Sequence, residues 1–329
     1  MNRVLLLVVL AVTLGVAGGV LWFGDAVGWD RTNPQTPTTV IVPSGATGHE
    51  VARLLERQRV VSSAFAFELL ARLRGRQNQM KAGRFDFDPH LSASAVLAQI
   101  VSGSGQTATW VTIPEGYTQL QIARTLAAHG FGEEGTLAST FARGSLAFGT
   151  MRTRSLEGYL FPDTYLVPTH ASPGEIVRIM TGRFRSVLPS DAAARAARLH
   201  VTIPQAVTLA SLVEREAKRD AERPLIAGVY YNRLQRGMPL QVDATLEYVL
   251  PEHKTVLTRA DVARDTPYNT YLHGGLPPTP IANPGLSSLQ AALRPQASDY
   301  LYYVYKGDGR HAFARTLAEH DANVARYLR

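Results

Sequence analysis

The 329 residues carry 45% hydrophobic and 19% charged side chains, with 34 Lys and Arg against 27 Asp and Glu and no cysteine. That composition can fill one large domain, or two smaller ones with an appendage, and excludes a disordered chain. The missing cysteines exclude disulfides, thiolate nucleophiles and Cys-based zinc sites. The net charge of +7 favours anionic partners, but the arginines are scattered and no helix-turn-helix, zinc-finger or RNP pattern appears, so nucleic acid is not an expected partner.

Val4 to Phe23, VLLLVVLAVTLGVAGGVLWF, holds no charge. About 20 apolar residues match the hydrocarbon thickness of a bilayer. Arg3 precedes the run and Asp25 follows it, so the N-terminus is expected in the cytoplasm and the remainder outside. The run exceeds the roughly 7–15 apolar residues of a signal-peptide core, and no clean A-x-A site follows. Residues 1–25 therefore read as a cytoplasmic tip and an uncleaved transmembrane anchor, and the aperiodic 26–37 as a linker.

Beyond the linker, Thr38–Val42 is strand-like and Val51, Leu54, Leu55 and Val60 have helical spacing. A second helix surrounds Phe65–Leu73. Phe85 and Phe87 alternate as in a strand, and Ser92 or Ser94 caps a helix ending near Gly103. Residues 38–104 thus form a small α/β unit. TWVTIPEGYTQLQIARTLA repeats the strand, turn and helix order as a weak echo of residues 40–55. Residues 145–175 are loop-rich. Pro204–Ala217 is a helix with Thr202 as N-cap and Pro204 in its first turn. A further helix, Arg223–Arg236, stops at Gly237, and Met238–Gly285 is irregular. Tyr302–Tyr305 and His311–Phe313 pair as a hairpin about Gly307–Asp308–Gly309, and Leu317–Tyr327 closes the chain as a helix. Without βαβ regularity the fold class is α+β, with an N-terminal transmembrane helix, the small subdomain and a larger α+β domain over 105–329.

No G-x-S-x-G elbow, G-x-x-x-x-G-K-[ST] loop or H-E-x-x-H motif is present. The nine histidines lie singly, without an i, i+4 pair, so neither a metal nor a cofactor is expected. Carboxylates remain, and ASLVEREAKRD holds two, Glu214 and Glu216. At about 100° per residue, Ala206, Leu209, Ala210, Val213 and Ala217 form one apolar stripe. Glu214 lies about 80° to one side of it and Glu216 about 80° to the other. They cannot act as a pair on one face. Glu216 has the more apolar flank, beside Leu209 and Leu212, and there desolvation raises a carboxyl pKa. A raised pKa suits a general acid at neutral pH. The same pattern also fits helix-edge carboxylates paired with Arg or Lys.

YNTYLHGGLPPTPIANPG, residues 268–285, is dense in Tyr, Asn, Gly and Pro. Tyr268, Asn269, Tyr271 and Asn283, held by prolines, suit an extended polar ligand; the stretch also fits a long loop without a ligand. In residues 232–248, Gln241, Asp243 and Thr245 alternate and would share one face of a strand.

SLEGYLFPDTY, ASLVEREA, YNRLQRGMPLQVDATLEY, YNTYLHGGLPPTPIANPG and YLYYV…GDGRHAF…LAEH, in that order, resemble the endolytic murein transglycosylase family (MltG, YceG-like) over almost the whole chain. The resemblance implies a LysM-like region at 38–104 and a catalytic domain at 105–329 that faces the periplasm from the inner membrane. It implies internal, non-hydrolytic cleavage of the β-1,4 bond between N-acetylmuramic acid (MurNAc) and N-acetylglucosamine (GlcNAc) in nascent peptidoglycan, leaving 1,6-anhydroMurNAc ends and limiting glycan elongation. The expected partners are glycan strands, the membrane, and peptidoglycan synthases or division proteins.

By the same resemblance Glu216 is the catalytic glutamate and Glu214 the first of the motif pair. Glu214, Glu157, Tyr159, Asp163 and Asn232 join Gln241, Asp243, Thr245 and the loop residues above as substrate-binding candidates, and Asp163 and Asp243 are also electrostatic helpers. Asp163, in Phe-Pro-Asp-Thr, also fits a plain turn. The chain departs from the family pattern at Ala244, where proline is common, at Thr279, where glycine is common, and at Tyr303, where phenylalanine is frequent. A non-catalytic, membrane-anchored peptidoglycan-binding scaffold is the alternative; such a protein has no need of an acid at position 216.

Overall fold

The computed structural model describes residues 3–26, 37–88, 91–250 and 257–328. The chain divides into two units, 1–111 with 165–170, and 112–164 with 171–329. The first unit holds helix α1 (Arg3–Ala26), strand β1 (Thr38–Val42), helices α2 (Gly48–Arg57) and α3 (Ala64–Leu73), strand β2 (Gly83–Phe87), helix α4 (Ala93–Ser102) and most of strand β3 (Gln106–Thr112). The second unit begins with α5 (Gln119–Ala128), α6 (Glu134–Arg143) and a short hairpin of β4 (Ala147–Phe148) and β5 (Met151–Arg152). Strand β6 (Thr164–Pro168) returns to the first unit's sheet, whose order is β1-β2-β3-β6. The residues around it read as loop because Pro162 and Pro168 bracket a segment whose pairing partner lies far away in sequence.

Local rules account for the first unit. Ser92 caps α4 and Gly103, at φ +84°, ends it in the left-handed conformation. Phe85 and Phe87 point to one face of β2 and stack 6.0 Å apart, packed with Val40, Leu55, Phe67, Leu97 and Ile100 in one core. Gly83 sits at φ +145°, and a Cβ there would come within 2.4 Å of the Ala108 carbonyl. The bare backbone lets β2 pass β3 where their register shifts between Arg84 and Phe85.

Among the described residues no helix is long and apolar enough to cross a membrane. The side chains described in α1 run from 12 to 24, so for the first part of the span expected over 4–23 only the helical backbone is described; residues 1–2, and 27–36 of the linker expected over 26–37, lie outside the described residues. Within the described part, Val12, Leu14, Val16, Val20 and Leu21 are exposed. Trp22 meets Phe65 of α3 at 6.2 Å between ring centroids.

The second unit continues with α7 (Pro173–Val187), α8 (Ala192–Arg198), α9 (Ile203–Glu216), α10 (Arg223–Gln235), α11 (Asp243–Glu247), α12 (Arg259–Val262), α13 (Leu286–Leu293), the hairpin β7 (Tyr302–Tyr305) and β8 (His311–Ala314), and α14 (Leu317–Tyr327). Helix α9 is its centre. Thr202 and Gln205 form a capping box, and Pro204 sits in the first turn. Ala206 through Val213 are all buried, because α8, α10, α11 and α13 pack around the helix. The single apolar stripe expected from the periodicity is corrected by this burial, which takes in Val207, Thr208, Ser211 and Leu212 as well. The polar members tolerate it by bonding to their own helix: Thr208 Oγ1 donates to the Pro204 carbonyl at 3.0 Å and Ser211 Oγ to that of Thr208 at 2.7 Å.

Phe67 is fully buried in the core of the first unit. Phe67→Ala should therefore destabilise the protein by about 3–5 kcal/mol in a denaturant titration.

Candidate active site

The enclosed run of α9 ends short of its C-terminal residue. That residue is Glu216. It lines a cleft of about 420 Å³. One wall comes from α10, α11 and the loops beside them, through Tyr230, Arg233, Gln241, Asp243 and Tyr271; the other comes from the hairpin and α14, through Tyr303, Tyr305, His311 and His320. The Tyr303 hydroxyl donates to Glu216 Oε2 at 3.1 Å, and the Tyr230 hydroxyl lies 2.7 Å from that of Tyr303. Burial pushes the Glu216 carboxyl up to about 7; Tyr303 and Lys218 oppose the shift, and the charges of Asp243 and Glu247 add to it. The negative end of the α9 dipole disfavours ionisation as well.

Asp243, at the start of α11, is exposed and accepts a hydrogen bond from the Tyr271 hydroxyl. Gln241, just before it, adopts φ +54°, an uncommon conformation for a residue with a side chain. Its N–H bonds the Thr270 carbonyl at 3.0 Å, and its Oε1 accepts from Arg233 at 3.2 Å. The buried Arg233 guanidinium also donates to the carbonyls of Pro239, Leu240 and Leu301. It thereby ties the end of α10 to both walls of the cleft. Glu222, just before α10, accepts from both the backbone N–H and the Nδ1 of His311 on β8, at 3.0 and 2.8 Å.

Residues 40–326 match the profile of the YceG-like family. The chain belongs to this family. An endolytic murein transglycosylase of Bacillus subtilis is 32% identical over 95% of this chain and 91% of its own length. An endolytic murein transglycosylase of Streptococcus pneumoniae is 29% identical over 90% of this chain, and the match spans 59% of that longer protein. The crystal structure of a YceG-like protein from Listeria monocytogenes aligns at a TM-score of 0.63 with 30% identity, covering 88% of this chain and 99% of the other.

Within this YceG-like fold, Glu216, Gln241, Asp243 and Tyr271 meet in the cleft, while the other candidates are placed elsewhere. Glu214 turns away. Its Oε2 accepts the Gly285 N–H at 3.0 Å and pairs with Arg223 at 3.2 Å. Glu115 crowds the same spot; desolvation first, then the charge of Glu214, raises its pKa. A Cβ on Gly285 would fall 1.9 Å from the Glu115 carboxyl, so the Glu115 side chain would have to move aside. Asp163 binds Arg183 at 2.6 Å and caps the Thr164 N–H at 2.8 Å. Tyr159 is packed against Phe184 at 5.2 Å and borders a separate cavity of about 330 Å³.

The strand expected for 241–245 is a helix from Asp243, so alternation fails: Thr245 is buried and bonded to Val242 and Thr270. Asn269 holds the Val262 and Arg264 carbonyls, Asn232 those of Ser298 and Tyr300. Tyr268 bonds Thr279 at 2.7 Å. These side chains already have protein partners, so they shape the loops behind the cleft. Sequence reasoning did not select Tyr230, Arg233, Tyr305, His311 or His320. The hairpin signal was present, and its registry places Tyr303 opposite Phe313 and Tyr305 opposite His311. Alternation along the two strands would have put Tyr303 and Tyr305 on one face.

Glu157 is fully buried. Its carboxyl accepts the Gln119 N–H at 3.0 Å, Asn283 Nδ2 at 2.9 Å and the Tyr248 hydroxyl at 3.0 Å. Asn283 also accepts the Leu160 N–H and donates to the Tyr117 carbonyl, both at 2.9 Å. Desolvation outweighs these donors and lifts the Glu157 carboxyl to about 8. The folded state therefore holds a proton there that the unfolded chain loses near the ordinary glutamate value. Stability from this group is full at low pH and is lost as pH rises towards about 8. Glu157→Gln should flatten that decline in thermal midpoints measured from pH 4 to 9. It should also lower stability by about 1–3 kcal/mol throughout, because an amide NH₂ must face one of the former donors.

Proposed function

We propose that this chain is a membrane-anchored endolytic lytic transglycosylase. It cuts the MurNAc-GlcNAc β-1,4 bond within nascent peptidoglycan strands, forms 1,6-anhydroMurNAc ends and so limits glycan elongation. The uncharged run at 4–23 is its single-pass inner-membrane anchor, with the N-terminus in the cytoplasm and the second unit in the periplasm. Residues 38–104 form a LysM-like region that positions glycan. Relatives named endolytic murein transglycosylases support the reaction class.

One observation carries the mechanism: the Glu216 carboxyl, raised to about 7 by burial, lies in a cleft of tyrosines and polar groups. Protonated Glu216 gives its proton to the glycosidic oxygen, and the bond from that oxygen to the muramyl C1 breaks. Positive charge develops at C1, where the Asp243 carboxyl offers electrostatic support. The muramyl C6 hydroxyl then attacks C1 and releases its proton to the Glu216 carboxylate, which restores the acid. The nucleophile belongs to the substrate, so a second carboxylate of the kind ordinary glycosidases use is not required. Intramolecular attack also gains effective concentration.

Digestion of purified sacculi followed by mass analysis tests this reading. Anhydromuramyl products should fall by about 10²–10⁴-fold in Glu216→Gln. Unchanged products in that variant would move the acid role elsewhere, reducing ends would mean hydrolysis, and no product from the wild type would mean a binding scaffold. In the wild type, kcat should decline as pH rises through about 7, where Glu216 loses its proton.

A further inference from the structure

We propose that Tyr303, backed by Tyr230, is the positioning residue of Glu216: it occupies Oε2, leaves Oε1 to give and take the substrate's proton, and stabilises the carboxylate formed between the two steps. This rests on Glu216 as the acid described above.

The direction of the hydrogen-bond chain follows from counting protons. A carboxylate can only accept, and a tyrosine hydroxyl has one proton to donate. Tyr303 gives its proton to Glu216 Oε2 at 3.1 Å. The 2.7 Å contact between the two hydroxyls is then donated by Tyr230. Accepting that bond polarises the Tyr303 hydroxyl and makes it a better donor. Burial and the Glu216 charge both raise the two phenols above their ordinary range, so the relay stays protonated wherever the enzyme is assayed.

The surroundings show what such a relay supplies. Glu216 meets Lys218 on its own segment, Asp243 and Glu247 from α11, Tyr271 from the following loop, Tyr230 and Arg233 from α10, and the aromatic and histidine side chains of the hairpin and α14. Among the described residues, the Tyr303 hydroxyl is the hydrogen-bond donor on its carboxyl. Burial and two neighbouring carboxylates favour the neutral acid. A group that must serve first as acid and then as base needs its ionised form within reach. Tyr303 supplies that stabilisation by a directed bond, which also restrains the carboxyl rotamer. Phenylalanine fills the same space without the hydroxyl, so the relay can be cut with little change in packing.

The experiment measures kcat/KM for anhydromuramyl product against pH for the full-length wild type, Tyr303→Phe, Tyr230→Phe and the double variant. Tyr303→Phe should move the alkaline limb upward by about half to one pH unit, as expected for loss of one hydrogen bond to the ionised form. Tyr230→Phe touches Glu216 only through Tyr303. It should shift the limb the same way by less, and the double variant should match Tyr303→Phe alone. An unmoved or downward limb in Tyr303→Phe, or additive shifts in the double variant, would overturn the relay. Should Tyr303→Phe fail to fold by its thermal midpoint, an unmoved limb in Tyr230→Phe decides against it. Glu216→Gln separates the two ideas. Retained anhydro product there sinks the acid assignment, whereas an inactive Glu216→Gln with unmoved tyrosine variants sinks the relay alone.

Discussion

Enclosure of α9 is the constraint on which the rest of the second unit depends. A helix buried from Ala206 to Val213 carries no charged side chain over that run. Its carboxylates come only in the last turn. The chain puts a carboxylate at that end, where the wall of packed helices gives way to the cleft. The position combines two conditions: burial beside two further carboxylates, which holds the proton on, and an opening onto the cleft.

Two glutamates two residues apart illustrate how much depends on neighbours. Glu214 faces Arg223 and the Gly285 N–H, so its charge is answered within the protein. Glu216 faces a tyrosine hydroxyl and two further carboxylates, so its charge is opposed. Identical side chains on one helix thus become a brace and, in the proposed mechanism, a proton carrier. Glu157 is a third case: buried more deeply than either, it is surrounded by donors that link residues 117–119, 157 and 283. A raised pKa alone therefore does not mark the acid. Access to the cleft separates Glu216 from Glu157.

Much of the fold was legible because its cues are local. Thr38–Val42, the Ser92-capped helix, the Thr202 and Pro204 start of α9, the β7–β8 hairpin and the helix Leu317–Tyr327 were all readable from caps, periodicity and turn glycines. Strand β6 and helix α11 were not. A five-residue strand such as β6 is defined by its partner, and β3 lies some 50 residues earlier. For α11, the alternation of Gln241, Asp243 and Thr245 imitated a strand; the chain instead turns at Gln241 and coils from Asp243.

The sequence by itself narrowed the candidate chemistry. Without cysteine, a paired-histidine motif or a nucleophile elbow, it left carboxylates as the candidate reactive groups, and the two flanks of α9 favoured Glu216 over Glu214 as the group whose pKa burial would raise. Only the tertiary structure decided which of the tyrosine, asparagine and threonine candidates face the cleft and which are spent on backbone carbonyls. The physical reason is that a polar side chain's role depends on whether its hydrogen bonds are already taken, and the takers here come from segments up to 166 residues away, as with Asn283 and Tyr117.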